Sequence, residues 1–221
     1  MIAWFLGAVL WELIVDGPFW GNANDRLSFL WGQIQMEYDL QNSQNRLGQL
    51  TFSMFYHGSS SFTCLTAKAG ESLTLLYVLR SICCEFSTGS LRDRHRIACF
   101  ECLCYIFDAC KNHGARIPLD IAHEMQNRCD GFLLHYHWLA KCSEHRLELN
   151  YNFTFKCHFL WHIVYYARYL NPRLSWCYEF EDFVGVMILC AKSCMAGTPL
   201  RLVGNNCLEN FLLVLQLRLS R

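Results

Sequence analysis

Residues that could bind a metal ion gather near the end of the chain. His158 and His162 are four residues apart, so a helix would project both imidazoles from one face, and Cys157 precedes the first of them. Zinc prefers imidazole and thiolate ligands in a tetrahedral arrangement. These three residues are therefore candidate zinc ligands. The alternative is that they pack among aromatic rings in a core, where a thiol acts as a small hydrophobe.

Two arginines in the same region are interleaved with aromatic residues. Arg168 and Arg173 alternate with four rings, namely Tyr165, Tyr166, Tyr169 and Trp176. Aromatic side chains stack on nucleic-acid bases, and guanidinium groups bind phosphates, so this pattern indicates a DNA-contacting surface. From Lys156 onward, seven Lys or Arg residues face four acids, which makes this part mildly basic. The alternative is an aromatic core with a solvated arginine rim.

Acidic residues offer a third kind of chemistry. Glu179, Glu181 and Asp182 stand at the start of a predicted helix, where the helix dipole favours carboxylates and where one of them could also bind a divalent cation such as Mg²⁺. Two further clusters of cysteine and histidine lie upstream, one over residues 99–113 and one over residues 135–145. No phosphate-binding glycine motif occurs, and no glycine turn that could form an oxyanion hole accompanies a cysteine.

The composition indicates one compact helical domain. Hydrophobic residues make up 53% of the 221 residues, and 19 basic residues balance 19 acidic ones, which excludes a disordered chain and a strongly cationic binder. We predict an all-α, irregular multi-helix bundle with at most a short strand near 50–56. The predicted domain covers 1–221, and the alternative division is 1–64 as a helical segment and 65–221 as a second region.

Apolar periodicity and turn residues predict seven of the helices. Asn24 or Asp25 caps the first of these, which runs through Tyr38. The others span about 66–85, 91–111, from Pro118 to about 139, 155–169, 179–194 and 207–217. The apolar run Met1 to Val15 contains Glu12 and is short for a bilayer crossing, so we expect a core helix or the truncated start of a longer chain, with a membrane anchor as the alternative.

The 14 cysteines also bear on the compartment. Several lie within helix-periodic apolar stretches (Cys83, Cys84, Cys99, Cys102, Cys110, Cys190 and Cys194), which is typical of buried thiols rather than of a disulfide framework. We expect an intracellular, reducing compartment, and the nucleus is compatible with the resemblance described next.

The segment from His158 to Gly185 resembles the C-terminal region of CACTA/EnSpm-type DNA transposases. The resemblance lies in the paired histidines, in Pro172-Arg173, and in the block Trp176-Cys177-Tyr178-Glu179-Phe180-Glu181-Asp182-Phe183-Val184-Gly185. Leu65 to Cys84 is similar to a helix of the same region, so the likeness extends from about Leu65 to the end.

The resemblance implies an ancestral role in DNA binding or strand transfer. It makes Glu181 the last acidic ligand of an RNase H-like metal site, while Asp182 stands where the family usually has Arg. The aspartate-bearing strands of such a site are not predicted here, so we expect a catalytically inactive, transposase-derived helical protein, a remnant of a mobile element. The alternative is a zinc-stabilised protein-interaction module.

Overall fold

A computed structural model describes residues 1–55, 62–175, 192–194 and 199–219. The chain divides into two compact units, Met1–Leu174 and Ser175–Arg221. Neither unit contains a strand in its described part, which confirms the prediction of an all-α, multi-helix protein.

The first unit contains six α-helices. They are α1 (Ile2–Val15), α2 (Ala23–Leu40), α3 (Ala69–Glu85), α4 (Leu91–Asn112), α5 (Leu119–His145) and α6 (Phe155–Tyr166). Short 3-10 helices lie at Phe52–Met54 and Pro172–Ser175. In the second unit, residues 192–194 are helical and α7 spans Leu200–Leu219. The helix predicted over 179–194 lies mostly outside the described residues.

The region proposed for a short strand adopts a turn. Within its described part, Leu50 and Phe55 are buried on either side of the Phe52–Met54 helix, and the ring of Phe55 lies 5.8 Å from that of Trp11. The apolar residues of this region therefore anchor a turn against α1. A strand would need a paired neighbour, and the described residues supply none.

Local capping explains where two of the helices begin. The side chain of Asn22 accepts hydrogen bonds from the backbone N–H groups of Asn24 and Asp25, and Asp25 accepts one from the Asn22 N–H in return. This reciprocal pair is a capping box, so the cap of α2 is Asn22 and not the predicted Asn24 or Asp25. Ser90 caps α4 through the N–H of Asp93.

The core forms where α1 packs against α4 and α5. Phe5 of α1 is fully buried, with its ring 4.7 Å from Phe100 of α4 and 6.0 Å from Phe132 of α5. A helix that is apolar on all sides is expected in a core, and this placement confirms the core-helix interpretation of the first fifteen residues. No helix among the described residues has the length and apolarity needed to cross a membrane.

Most described cysteines are buried and none of them forms a disulfide. Cys83, Cys99, Cys102, Cys110 and Cys194 are buried as predicted, and burial raises the pKa of the Cys83 and Cys110 thiols to about 12. Cys84 is exposed, so its prediction as a core thiol was wrong. It follows the core residue Cys83 by one position, and a one-residue step turns a helical side chain by about 100° to another face. Cys190 lies outside the described residues.

Helix α1 also passes very close to the chain that precedes α3. The Leu65 N–H donates a hydrogen bond to the Ala3 carbonyl at 2.9 Å, and a Cβ atom added to Gly7 would lie 2.6 Å from the Leu65 nitrogen. That atom belongs to the backbone and has little freedom to move away. Gly7 is therefore required for close approach, whereas a Cβ added to Gly32 in α2 would meet nothing within 4 Å.

We expect Gly7→Ala to lower the free energy of unfolding by about 2 kcal/mol or more, because its methyl group would collide with backbone. Gly32→Ala is the matched control, and we expect it to raise stability by about 0.5–1 kcal/mol through reduced backbone entropy. Urea unfolding monitored by circular dichroism measures both. Equal effects of the two substitutions would contradict the close approach of α1.

Candidate functional site

Helix α6 presents an aromatic surface to solvent. Cys157 and Val164 are buried on one side of the helix, which packs against α5. The other side carries large exposed side chains, and this exposed surface continues through the segment that follows the helix. We call these residues the α6 surface: Phe155, Phe159, Ile163, Tyr166, Tyr169, Leu170 and Leu174. Tyr166 is 57% and Tyr169 is 62% exposed. The interpretation of these two rings as core residues was therefore wrong.

Arg168 lies between two tyrosines at the edge of the α6 surface. Its guanidinium carbon is 4.1 Å from the ring centroid of Tyr165 and 4.7 Å from that of Tyr169. Both distances are within the range of a cation–π interaction. Within the described residues Arg168 forms no ion pair with a carboxylate, and its Nε atom has no hydrogen-bond partner. Cation–π contacts with two rings therefore hold the guanidinium, and no carboxylate of the described residues pairs with its charge.

Asn171 fixes the position of Arg173. Its buried side-chain amide lies within hydrogen-bond distance of the carbonyls of Cys110, His113 and Gly114, at 2.8 to 2.9 Å, which satisfies the C-terminal end of α4. Its Oδ1 atom accepts the Arg173 N–H at 2.9 Å. The Arg173 guanidinium then donates to the Lys111 carbonyl at 3.0 Å. This clamp places Arg173 beside the end of α4.

The sequence prediction treated Asn171 only as a helix stop before Pro172. Nothing local distinguishes an exposed asparagine after a helix from a buried one that binds another helix. The hydrogen-bond partners of Asn171 are about 60 residues away in the chain, so the sequence alone does not predict these contacts.

The predicted zinc ligands are only partly brought together. The Nε2 atoms of His158 and His162 are 2.9 Å apart on the exposed side of α6, whereas Cys157 is 1% exposed on the buried side. Burial raises the pKa of the Cys157 thiol. Across the described part of the chain, no three His, Cys, Asp or Glu side chains are grouped so as to hold a metal ion.

The two upstream clusters differ in burial, because the cysteines of the first lie in the core whereas His137 and His145 of the second are exposed. In α4, Cys99, Cys102, Cys104 and Cys110 are buried, and His113 Nδ1 lies 2.8 Å from the Ala109 carbonyl. In α5, His135 pairs with His95 of α4 through ring nitrogens 2.9 Å apart. His95 also stacks on Trp138 at 4.0 Å, and burial together with the neighbouring His135 lowers its pKa. The acids Glu179, Glu181 and Asp182, with the whole block from Trp176 to Gly185, lie outside the described residues.

A second polar site, which sequence reasoning missed, surrounds Glu12. This carboxylate is 3% exposed in the apolar helix α1. Arg92 Nη2 contacts its Oε1 atom, Arg96 Nη2 lies 3.6 Å from Oε2, and the Tyr151 hydroxyl donates to Oε2 at 2.7 Å. Burying a carboxylate without partners would cost several kcal/mol, so these donors are required. We call these four side chains the Glu12 network.

Further residues extend the Glu12 network outward. Arg92 also pairs with Glu148 at 3.2 Å and donates to the Ser143 hydroxyl, while Arg96 pairs with Asp93 at 3.0 Å. At the surface, Arg146 joins Asp16 at 2.9 Å. The network therefore connects α1 with the start of α4 and with the end of α5. The sequence did contain a signal for this network. A single glutamate lies within an apolar helix, and two arginines lie four residues apart in another helix.

Burial and hydrogen bonds act in opposite directions on the acids here. Burial raises the pKa of Glu12 above its ordinary value near 4.5, although Arg96 and Arg92 oppose the change. Burial acts in the same sense on Asp93, but hydrogen bonds from Thr88 and the charge of Arg96 hold the pKa of Asp93 below its usual range. Desolvation therefore has the larger effect on the pKa of Glu12, whereas hydrogen bonds and charge have the larger combined effect on the pKa of Asp93.

Comparison with known proteins adds no relative. No known protein family, no curated protein and no solved structure matches the chain.

We expect Glu12→Gln to alter how stability depends on pH. Because the folded-state pKa of Glu12 lies above its ordinary value near 4.5, the folded protein retains this proton more strongly than the unfolded chain does. The resulting stabilisation is present in full below that ordinary value and is lost as the pH rises through the raised pKa. Glutamine carries no such proton. The free energy of unfolding of the natural protein, relative to the variant, should therefore fall as the pH rises above about 4.5.

Urea titrations across this pH range measure the difference directly. A difference that stays constant with pH would contradict a buried, proton-retaining Glu12. Glu124→Gln is the control, because Glu124 is an acid on α5 that pairs with Arg128 away from the network.

Proposed function

We propose that this chain is a transposase-related DNA-binding protein that contacts DNA through the α6 surface together with Arg168 and Arg173. The observation that carries the proposal is the guanidinium of Arg168, held between the rings of Tyr165 and Tyr169 without a carboxylate partner in the described residues. An arginine with an unpaired charge, oriented by rings, is arranged to bind a phosphate.

The exposed tyrosine rings provide surfaces on which DNA bases can stack. Stacking of a base on an aromatic side chain contributes about 1–3 kcal/mol per base and requires no particular sequence. Tyr166 and Tyr169 are exposed and their ring centroids are 6.2 Å apart. Unpaired bases present faces that such rings can reach, so we propose that single-stranded or unpaired DNA binds more tightly than a duplex.

Arg173 supports the proposal from the neighbouring turn. Its link to the Lys111 carbonyl keeps two basic residues close together at the end of α4. The proposed role of Arg168 and Arg173 is to contact backbone phosphates, which positions the strand without reading its sequence. The chain as a whole carries no net charge, so binding would depend on this local arrangement.

In this proposal the chain binds DNA and does not cut it. Glu181 is a vestigial ligand of a divalent cation such as Mg²⁺, derived from the resemblance of the block from Trp176 to Gly185. Cleavage of DNA by the purified chain in the presence of Mg²⁺, abolished in Glu181→Ala, would contradict this part of the proposal.

Fluorescence anisotropy with a labelled single-stranded oligonucleotide of about 20 nucleotides tests the DNA contact. We expect Arg168→Gln and Tyr169→Ala each to weaken binding about tenfold, through loss of a phosphate contact and a stacking platform respectively. Arg168→Gln should also reduce the salt dependence by about 0.7 in the slope of log affinity against log salt concentration.

The matched control is Arg128→Gln. Arg128 also lies over a tyrosine, with its guanidinium carbon 5.2 Å from the Tyr105 ring, but it is paired with Glu124. We expect no change in affinity or salt slope for this variant. Absence of saturable binding to single-stranded and duplex DNA, or equal effects of the Arg128 and Arg168 substitutions, would refute the proposal.

A second candidate function is a zinc-stabilised protein-interaction module. The observation that favours it is the 2.9 Å separation of the His158 and His162 Nε2 atoms, which would let both imidazoles bind one ion. This pair supplies two of the four ligands of a structural site, so the remainder would come from elsewhere.

Metal analysis of the purified protein tests this candidate. We expect one zinc ion per chain, lost in His158→Ala and in His162→Ala, and retained in His123→Ala, a histidine on α5 outside the pair. Zinc content that is absent from the natural protein, or unchanged in His158→Ala, would eliminate the second candidate and leave the DNA-binding proposal untouched.

A further inference from the structure

A cavity of about 200 Å³ opens at the start of α4, beside the Glu12 network. Its walls include the side chains of Arg92, Arg96 and Arg146, together with the acids Glu12, Asp16 and Asp93. Since one water molecule occupies about 30 Å³ in the liquid, the space could hold roughly six waters or one small metabolite. It is separate in the fold from the α6 surface proposed to bind DNA.

Charged partners surround most of the acceptor atoms that line the cavity. Arg92 Nη2 contacts Glu12 Oε1 as an ion pair without hydrogen-bond geometry, while Glu12 Oε2 accepts from Tyr151 and lies 3.6 Å from Arg96 Nη2. Asp93 accepts from Thr88 and Arg96, and Asp16 accepts from Arg146 through Oδ2. A ligand that donates hydrogen bonds would therefore have to break these existing pairs.

Donor atoms, in contrast, remain unused. The Nε atoms of Arg92 and Arg96 are buried and have no hydrogen-bond partner. Arg96 as a whole is only 8% exposed, so this donor cannot simply turn to bulk water. An unsatisfied buried donor is unfavourable, and a ligand or ordered water that accepts from it would remove that cost.

The start of α4 adds to this excess of donors. The first turn of a helix carries free N–H groups and a partial positive charge, both of which favour an anion. Ser90 caps α4 and also lines the cavity. Three guanidinium groups and a helix N-terminus therefore converge on one small space.

From this arrangement we propose that the cavity at the start of α4 binds a small anion bearing a carboxylate or a phosphate group. Arg92 and Arg96 donate to it from the buried end, and Arg146 donates from the mouth. The anion shares the guanidinium groups with Glu12 and Asp16, so these acids weaken its binding. Carboxylates and phosphates have the same requirement for planar guanidinium donors, and the experiment distinguishes them.

The Arg146–Asp16 pair at the mouth allows a test that leaves Glu12, Arg92 and Arg96 unchanged. The side chains of Arg146 and Asp16 are 48% and 42% exposed. Arg146 also pairs with Glu148 at 2.7 Å, but Glu148 keeps Arg92 as a partner when Arg146 is neutralised. Arg146→Gln removes a donor and should weaken anion binding about tenfold. Asp16→Asn removes a competing acid and should tighten binding about threefold. If this ion pair had only a structural role, neither substitution would change the affinity for the anion.

Isothermal titration calorimetry of the full chain with inorganic phosphate and, separately, with succinate measures the affinity, at constant ionic strength set with sodium chloride. We expect one site per chain with a dissociation constant of about 1 mM or tighter for at least one of the two probes. The probe that binds more tightly identifies the class of ligand.

Glu124→Gln and Arg128→Gln provide matched controls, because they neutralise an exposed pair on α5 that does not line the cavity. Neither should change the affinity by more than about twofold. Failure of both probes to bind would overturn the proposal. So would binding that Arg146→Gln and Asp16→Asn alter no more than the control substitutions do.

Discussion

The buried carboxylate of Glu12 is the constraint on which the first unit depends. Taking a carboxylate out of water costs several kcal/mol unless charged and hydrogen-bonding partners surround it. Here the partners are Arg92, Arg96 and Tyr151, which come from α4 and from the segment after α5. Apolar packing alone would allow α1 to slide or rotate against its neighbours, because hydrophobic contacts have little directionality. The ion network specifies one position.

Helix α4 links this constraint to the rest of the molecule. At 22 residues, α4 extends about 33 Å. Its first two turns carry Arg92 and Arg96, which contact Glu12, and the Cys110 carbonyl near its last turn accepts a hydrogen bond from Asn171. The same Asn171 positions Arg173 at the end of the α6 region. The anion-binding cavity therefore lies at the start of α4 and the basic turn lies at its end, so one helix positions both candidate sites.

The elements of the fold could be predicted from sequence because their signals are local. Apolar periodicity located α2 to α6, although α5 extends about six residues beyond its predicted end, α6 is shorter and α7 is longer than predicted. The burial of α1 followed from its uniform apolarity. Local signals misled where a single residue decides the outcome, as for the Asn22 cap and the exposed Cys84. The alternation over residues 50–56 misled because a strand requires a partner that no local pattern reveals.

The candidate sites were harder to predict, for a physical reason. The spacing of His158 and His162 already placed them on one helical face, and their ring nitrogens do meet. The partners of Glu12 and Asn171, however, lie between about 60 and 140 residues away in the chain. A periodic pattern reports which face of a helix is buried and does not report which other helix covers it. Buried ion pairs and long-range hydrogen bonds can therefore be identified only once the packing of the helices is known.

We infer that Glu12 and the arginines of α4 stabilise each other within the core. A double-mutant cycle on the free energy of unfolding, with Glu12→Met, Arg92→Met and both together near neutral pH, tests it most directly. We expect each single substitution to cost about 1.5–3 kcal/mol, because it removes one charged partner from the buried cluster while Glu148 and Asp93 still pair with the arginines. The double substitution should cost less than the sum by at least about 1.5 kcal/mol. Strictly additive costs would contradict the claim.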